Sequence, residues 1–174
     1  GDMLIHFDAN VRHTFLNESG LIKLAFYYYS MASAKCPRAQ YLLGMCYLEG
    51  KGVAKSLAVA KNHFKAAEAT IVEAQYMMAR FVETNQMNRI ERYKHVIAAN
   101  NGQHAGAMNN LAVQYEKLAE KDAQYLDKAI EQYKAATANG STTALYNLAK
   151  LYEEKKNDHA KALEYYKEAA DSGK

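Results

Sequence analysis

Gly44 and the later run Gly50-Lys51-Gly52 have the makings of a phosphate loop, in which glycine N–H groups and a lysine cradle phosphate oxygens. The spacing is against it. Five residues, not four, lie between Gly44 and Gly50, and Gly52 stands where a Ser or Thr would hold magnesium. A left-handed stop to a helix is the better reading of Gly50. Six histidines (His6, His13, His63, His95, His104 and His159) form no His-x-x-x-His pair, and Cys36 and Cys46 form no Cys-x-x-Cys. The sequence therefore indicates no metal and no cofactor. His63 lies in an apolar pattern and reads as a packed or capped residue. There is no Gly-x-Ser-x-Gly and no nucleophile beside a base, so the chain does not read as an enzyme.

The sharper chemical feature is an abundance of Tyr and Met, 14 and 7 residues. Both suit adaptable apolar contact with another polypeptide. Charge adds little: the formal net charge of +3 is spread evenly, with no basic block, which weakens a nucleic-acid or membrane-surface reading. The longest strongly apolar uncharged run, Leu24 to Ala34, is eleven residues and too short to span a bilayer. Cys36 sits in a turn beside Pro37 and Cys46 well along the next helix. They are separated by about 13 Å of helical rise, beyond disulfide reach, so both read as free structural thiols. Because Met3 is not first, Gly1 reads as a cloning remnant.

The elements that must position these residues are helices. Thirty Ala against 13 Val and Ile combined, in 174 residues, favours an all-α chain. The helices recur. Ala39-Gln40-Tyr41-Leu42-Leu43-Gly44 returns as Ala74-Gln75-Tyr76-Met77-Met78-Ala79, and more loosely in the runs ending at Ala112 and Ala149. The closing small residues Gly44, Ala79, Ala112 and Ala149 are 35, 33 and 37 residues apart. Stepping back from Gly44 reaches Ala9, within a worn copy carrying Leu4, Phe7, Val11 and Phe15.

A second pattern, Ala with an aromatic at +4 and Ala at +7, follows at Ala25, Ala60, Ala129 and Ala162 and marks one helix face. Asn139-Gly140 and Ser172-Gly173 supply helix stops. The unit is helix, turn, helix. Its small residue admits the second helix closely, and the aromatics Tyr29, Phe64, Tyr133 and Tyr166 fill the space toward the next unit. Repeats are expected at 37–71, 72–103, 104–141 and 142–174, after a degenerate one at 1–36, all in a single domain spanning 1–174.

Leu145 to Tyr152 followed by Ala162 to Ala169 resembles a tetratricopeptide repeat. Leu43 to Val53, with its Gly50-Lys51-Gly52-Val53 turn, and Phe64 to Ala67 are more similar to the Sel-like variety. The repeat at 72–102 departs from the pattern at Phe81-Val82 and Tyr93 and lacks the glycine turn, and that at 104–140 carries extra turn residues near Glu120 to Tyr125. The resemblance implies a right-handed α-α superhelical solenoid of about five helix-turn-helix repeats, used as a protein-interaction scaffold or adaptor, in bacteria often in envelope or host-interaction roles.

In such arrays the first helices line a concave groove. Positions three before, one after and four after the small residue give Tyr41, Met45 and Leu48, then Tyr76, Arg80 and Glu83. Later repeats give Asn109, Val113 and Glu116, then Tyr146, Lys150 and Glu153. A protein or peptide partner is expected there, with Arg80 and Lys150 holding a carboxylate or carbonyl; the competing reading is that some of these tyrosines pack between repeats. The Lys/Asn/Arg clamp with which tetratricopeptide domains grip chaperone tails is echoed only at Asn110 and Asn147. A single-stranded RNA reader and a small-molecule or catalytic domain are the alternatives, and no nucleic acid, membrane insertion or cofactor is expected. The last helix, Asp158 to Asp171, is expected to leave Tyr165 and its neighbours facing solvent, which suggests a longer array or end-to-end self-association.

Overall fold

The computed structural model describes residues 18–172. The worn copy around Leu4 to Phe15 and the stop at Gly173 lie outside the described residues. Among the described residues all regular structure is helical: α1 (Glu18–Ala32), α2 (Pro37–Glu49), α3 (Leu57–Ala67), α4 (Val72–Phe81), α5 (Gln86–Ala99), α6 (Ala105–Ala119), α7 (Gln124–Ala138), α8 (Thr142–Glu154) and α9 (His159–Ser172). Each of the four stretches expected as repeats after residue 36 contains two helices, α2 and α3, α4 and α5, α6 and α7, and α8 and α9. The chain divides into two compact units between Val82 and Glu83, a point inside the repeat at 72–103.

In the first unit each helix packs on the next, α1 on α2, α2 on α3 and α3 on α4. Pro37 opens α2, where its missing N–H is no loss and its fixed φ suits the first turn. Gly50 ends the helix in the left-handed region, with φ 77°. Gly44 is a close approach: a Cβ there would lie 2.6 Å from Cε1 of Phe64. That approach lets the Phe64 ring bury completely beside Ala60, Met77 and Met78, a burial contributing about 1.5–3 kcal/mol. Gly52, at φ 74°, presses the turn onto α1, where a Cβ would meet Ile22 O and Phe26 Cβ at 3.0 Å. Ser56 then caps α3 through an Oγ that accepts from Val59 N at 3.3 Å.

The second unit repeats the logic with different caps. Asn85 Oδ1 accepts from Asn88 N at the start of α5, and His104 Nδ1 accepts from Ala107 N at the start of α6, both at 3.1 Å. Ser141 Oγ and Asp158 Oδ1 do the same for α8 and α9. Gly140 stops α7 at φ 83°. Ala112 and Ala149 are fully buried, as is Ala79 in the first unit, so all four small residues are buried.

Some expectations shift. Phe64 and Tyr133 are wholly buried, whereas Tyr29 and Tyr166 are half-exposed. Tyr93, which had looked like a departure, occupies the aromatic column and is buried. Its register was hidden because Arg89 stands where the pattern has Ala, with Nε donating to Glu83 O at 3.1 Å. Both cysteines are free, but only Cys46 is buried, and Cys36 is exposed ahead of Pro37. Tyr165 is only partly exposed, stacked on Tyr152 with centroids 5.6 Å apart, while its neighbour Leu163 faces solvent as expected, 54 % exposed.

Candidate interaction faces on the first helices

The expected groove residues fall on two faces, one in each unit. In the first unit α2 and α4 lie together, tied at the edge by Arg38 Nη1 and Glu73 Oε1 at 3.2 Å. Tyr41, Met45, Leu48 and Tyr76 are partly buried here and pack against the Phe64, Met77 and Met78 core. Tyr41 has its ring 6.0 Å from Phe64, with the Arg38 guanidinium 5.1 Å over it. Burial, reinforced by Glu73, pushes the Tyr41 hydroxyl above its ordinary range. These residues therefore serve the core and present only part of their surface. Arg80 is exposed, its guanidinium 4.8 Å over Phe81.

Behind that face His63 stacks on Tyr47, centroids 5.5 Å apart. Gln40 Nε2 donates to Ser33 O, so Gln40 Oε1 accepts, and His63 donates to it from Nδ1 at 2.7 Å. Burial lowers the imidazole pKa. His63 is packed and bonded, as its place in the pattern suggests.

The second face, on α6 and α8, is polar. Asn147 Nδ2 donates to Asn109 Oδ1 at 2.9 Å, joining the two first helices, and Asn109 is only 9 % exposed. Asn110 Oδ1 accepts from Asn109 Nδ2 at 3.4 Å. These asparagines are spent on one another. Val113 lies half-buried on the same helix. Glu116 turns to the second helix of its own pair, where the Tyr133 hydroxyl donates to Glu116 Oε2 at 2.8 Å. Burial and the Glu116 charge hold the Tyr133 hydroxyl far above its usual range. One repeat later the Tyr166 hydroxyl donates to Glu153 Oε2 at 2.9 Å, and this bond pushes its pKa up to about 12.

Glu83 occupies the equivalent place after Ala79. It lies 3.5 Å from Arg92 Nε and also accepts from Asn85 N at 3.0 Å. The sequence does hold the signal for these anchors. Glu stands four after the small residue at Glu83, Glu116 and Glu153, and Leu48 replaces it where the column aromatic, Phe64, has no hydroxyl.

Tyr146 remains outward, 55 % exposed, with its ring 5.6 Å from Tyr166. Glu153 thus bonds Tyr166, and the Tyr166 ring flanks Tyr146. Lys150 stands one turn on, exposed and 3.7 Å from Glu154. Arg80 and Lys150 thus keep accessible charge, while Glu83, Glu116 and Glu153 are engaged within the chain. No cluster of three His, Cys, Asp or Glu side chains is arranged to hold a metal ion among the described residues. No described helix is long and apolar enough to cross a membrane.

A family model for the Sel1 repeat matches residues 22–35, 37–69 and 142–174. The alginate biosynthesis protein AlgK of Pseudomonas syringae pv. tomato is 30 % identical over 101 residues, 56 % of this chain; the match spans 22 % of that protein's length. Among solved structures, a Sel1 repeat protein from Oxalobacter formigenes is similar at TM-score 0.69 and 23 % identity, over 95 % of this chain and 71 % of that one. YrrB, a TPR protein with an unusual peptide-binding site, is similar at TM-score 0.54 and 20 % identity, over 95 % of this chain and 92 % of its own. At these identities the structural likenesses speak for the fold, a helical-repeat solenoid class.

Proposed function

We propose that the chain binds a polypeptide partner through the faces of its first helices, a reading supported by the Sel1 repeat matches and by the likeness of its fold to that of the TPR protein YrrB. The observation that carries this reading is Tyr146, an aromatic ring left outward while its neighbour Tyr166 is anchored by Glu153. A tyrosine ring gives contact area at low conformational-entropy cost. Lys150 beside it supplies a charge for a carboxylate. The occupant is accordingly a peptide segment with an aliphatic or aromatic side chain next to an acidic one. On the first unit Tyr41, Met45, Leu48 and Tyr76 offer an apolar surface and Arg80 a second cation. On the second, Asn109 and Val113 floor the site, and Glu116 and Glu153 act by holding tyrosines. The peptide-binding site of YrrB shows that this fold class can carry such a site in that protein.

The reading is one of binding rather than catalysis. A photo-crosslinking amino acid at position 146, with position 57 as an exposed control, should yield one discrete polypeptide adduct from position 146. Purified partner should then bind Tyr146→Ala or Lys150→Ala at least about tenfold more weakly, a loss of about 1.4 kcal/mol. Equal labelling from positions 146 and 57, or unchanged affinity in both variants, overturns the assignment.

A further inference from the structure

We propose that Asn101, in the turn between α5 and α6, is a site of spontaneous covalent modification, where the side-chain amide is lost and aspartate and isoaspartate form. This goes beyond the peptide faces of the first helices and does not depend on them. The chain has two Asn-Gly steps, Asn101-Gly102 and Asn139-Gly140. At such a step the glycine nitrogen reaches the asparagine side-chain carbonyl carbon with no side chain of its own in the way.

The two steps form a natural control. Both asparagines and both glycines are exposed. Both glycines are left-handed, Gly102 at φ 72° and Gly140 at φ 83°. Each glycine N–H is bonded, Gly102 N to Ile97 O at 2.8 Å and Gly140 N to Thr137 O at 2.9 Å. They differ at the asparagine. Asn139 Nδ2 donates to Ala135 O at 2.9 Å and lies 3.7 Å from Met108 Sδ, which holds the amide back along its own helix. The Asn101 amide bonds to nothing among the described residues. Its backbone is itself left-handed, at φ 52°, a conformation that strains a residue carrying a Cβ. One leaving amide is tethered; the other is loose, in the more strained turn.

The reaction needs only water. Gly102 N gives its proton to solvent hydroxide, and its electron pair forms a bond to Asn101 Cγ. The Cγ–Nδ2 bond breaks, Nδ2 leaves as ammonia, and a succinimide ring is closed. Water then opens the ring at either carbonyl, giving aspartate or isoaspartate and adding one negative charge to a chain of formal net charge +3. Isoaspartate routes the main chain through Cβ, and the added methylene shifts Gly102 away from the α5 carbonyl it bonds.

Peptide mapping by mass spectrometry on the full chain, held in mildly alkaline buffer, follows both steps at once. The ratio of the Asn101 rate to the Asn139 rate should be at least about fivefold higher in the folded chain than in denaturant, where neither amide is held. Isoaspartate-specific methyl labelling of the folded chain should fall on the peptide containing residue 101. Asn101→Gln should abolish that labelling and leave conversion at Asn139 unchanged. A rate ratio no higher in the folded chain than in denaturant overturns the proposal. So does an Asn101 still intact when the denatured chain has fully converted.

Discussion

Phe64 and Tyr133 hold the same place in their repeats, and both are wholly buried, yet they are held by opposite chemistry. In the first unit Phe64 clusters with Ala60, Met77 and Met78, and Leu48 packs against that cluster. In the second unit Tyr133 adds one hydroxyl, and Glu116, standing where the first unit has Leu48, accepts from it. The difference shows that a repeat specifies pairs, not positions. An apolar pair needs only volume and tolerates imperfect direction. The Tyr–Glu pair needs both partners, since a buried hydroxyl or carboxylate left alone costs about 1–3 kcal/mol or more. The exposed copy of that pair, Tyr166 with Glu153, has water as a substitute partner.

The strongest way to break the comparison is Phe64→Ala, which should cost about 3–5 kcal/mol by emptying the first unit's core. Hydrogen exchange by mass spectrometry should show the loss in α2 to α4. Next comes Glu116→Leu, which strands the Tyr133 hydroxyl and should cost about 1–3 kcal/mol. Adding Tyr133→Phe, which rebuilds the Leu48–Phe64 pair in the second unit, should recover most of it. Denaturant melts of the two single variants and the double variant measure the coupling; strict additivity would show that the two side chains do not act as a pair. Tyr166→Phe should cost under about 1 kcal/mol, because its site is open to water.

The smallest expected effect is a pH dependence confined to the first unit. Burial lowers the His63 pKa in the folded state below its ordinary value near 6.5. The unfolded chain therefore takes up the proton first. His63 thus leaves stability intact above pH about 6.5 and subtracts from it as the pH falls toward the folded pKa, below which the loss levels off. His63→Gln should flatten exchange rates in α2 and α3 across that window.

Much of this was open to a reader of the sequence, and the exceptions have causes. Gly44, Ala79, Ala112 and Ala149 are legible because a tight helix crossing admits few side chains, and all four are buried. The left-handed stop at Gly50 is legible for a similar reason. Tyr93 is obscured because Arg89 stands in place of the pattern's Ala and because both α4 and the turn after it are short: it follows Ala79 by 14 residues, whereas Phe64 follows Gly44 by 20. A fixed repeat length cannot track a turn that varies. Glu116 and Glu153 were placed on the outer face by counting along the helix, which fixes where a Cβ points but not which hydroxyl a long side chain will reach. Asn109 was counted outward for the same reason, and its bond to Asn147 depends on a neighbouring helix 38 residues away.

The two turns within helix pairs differ in a way that matters to anyone redesigning the molecule. Gly52 is wedged against the backbone of α1, so a segment spliced at residues 50–53 would pry adjacent hairpins apart. The stretch 120–123 is exposed throughout and no longer than 82–85 or 155–158, because the extra residues expected near Glu120 to Tyr125 are taken into the helices on either side. A fluorophore tag or affinity handle grafted there should ride on the scaffold unnoticed.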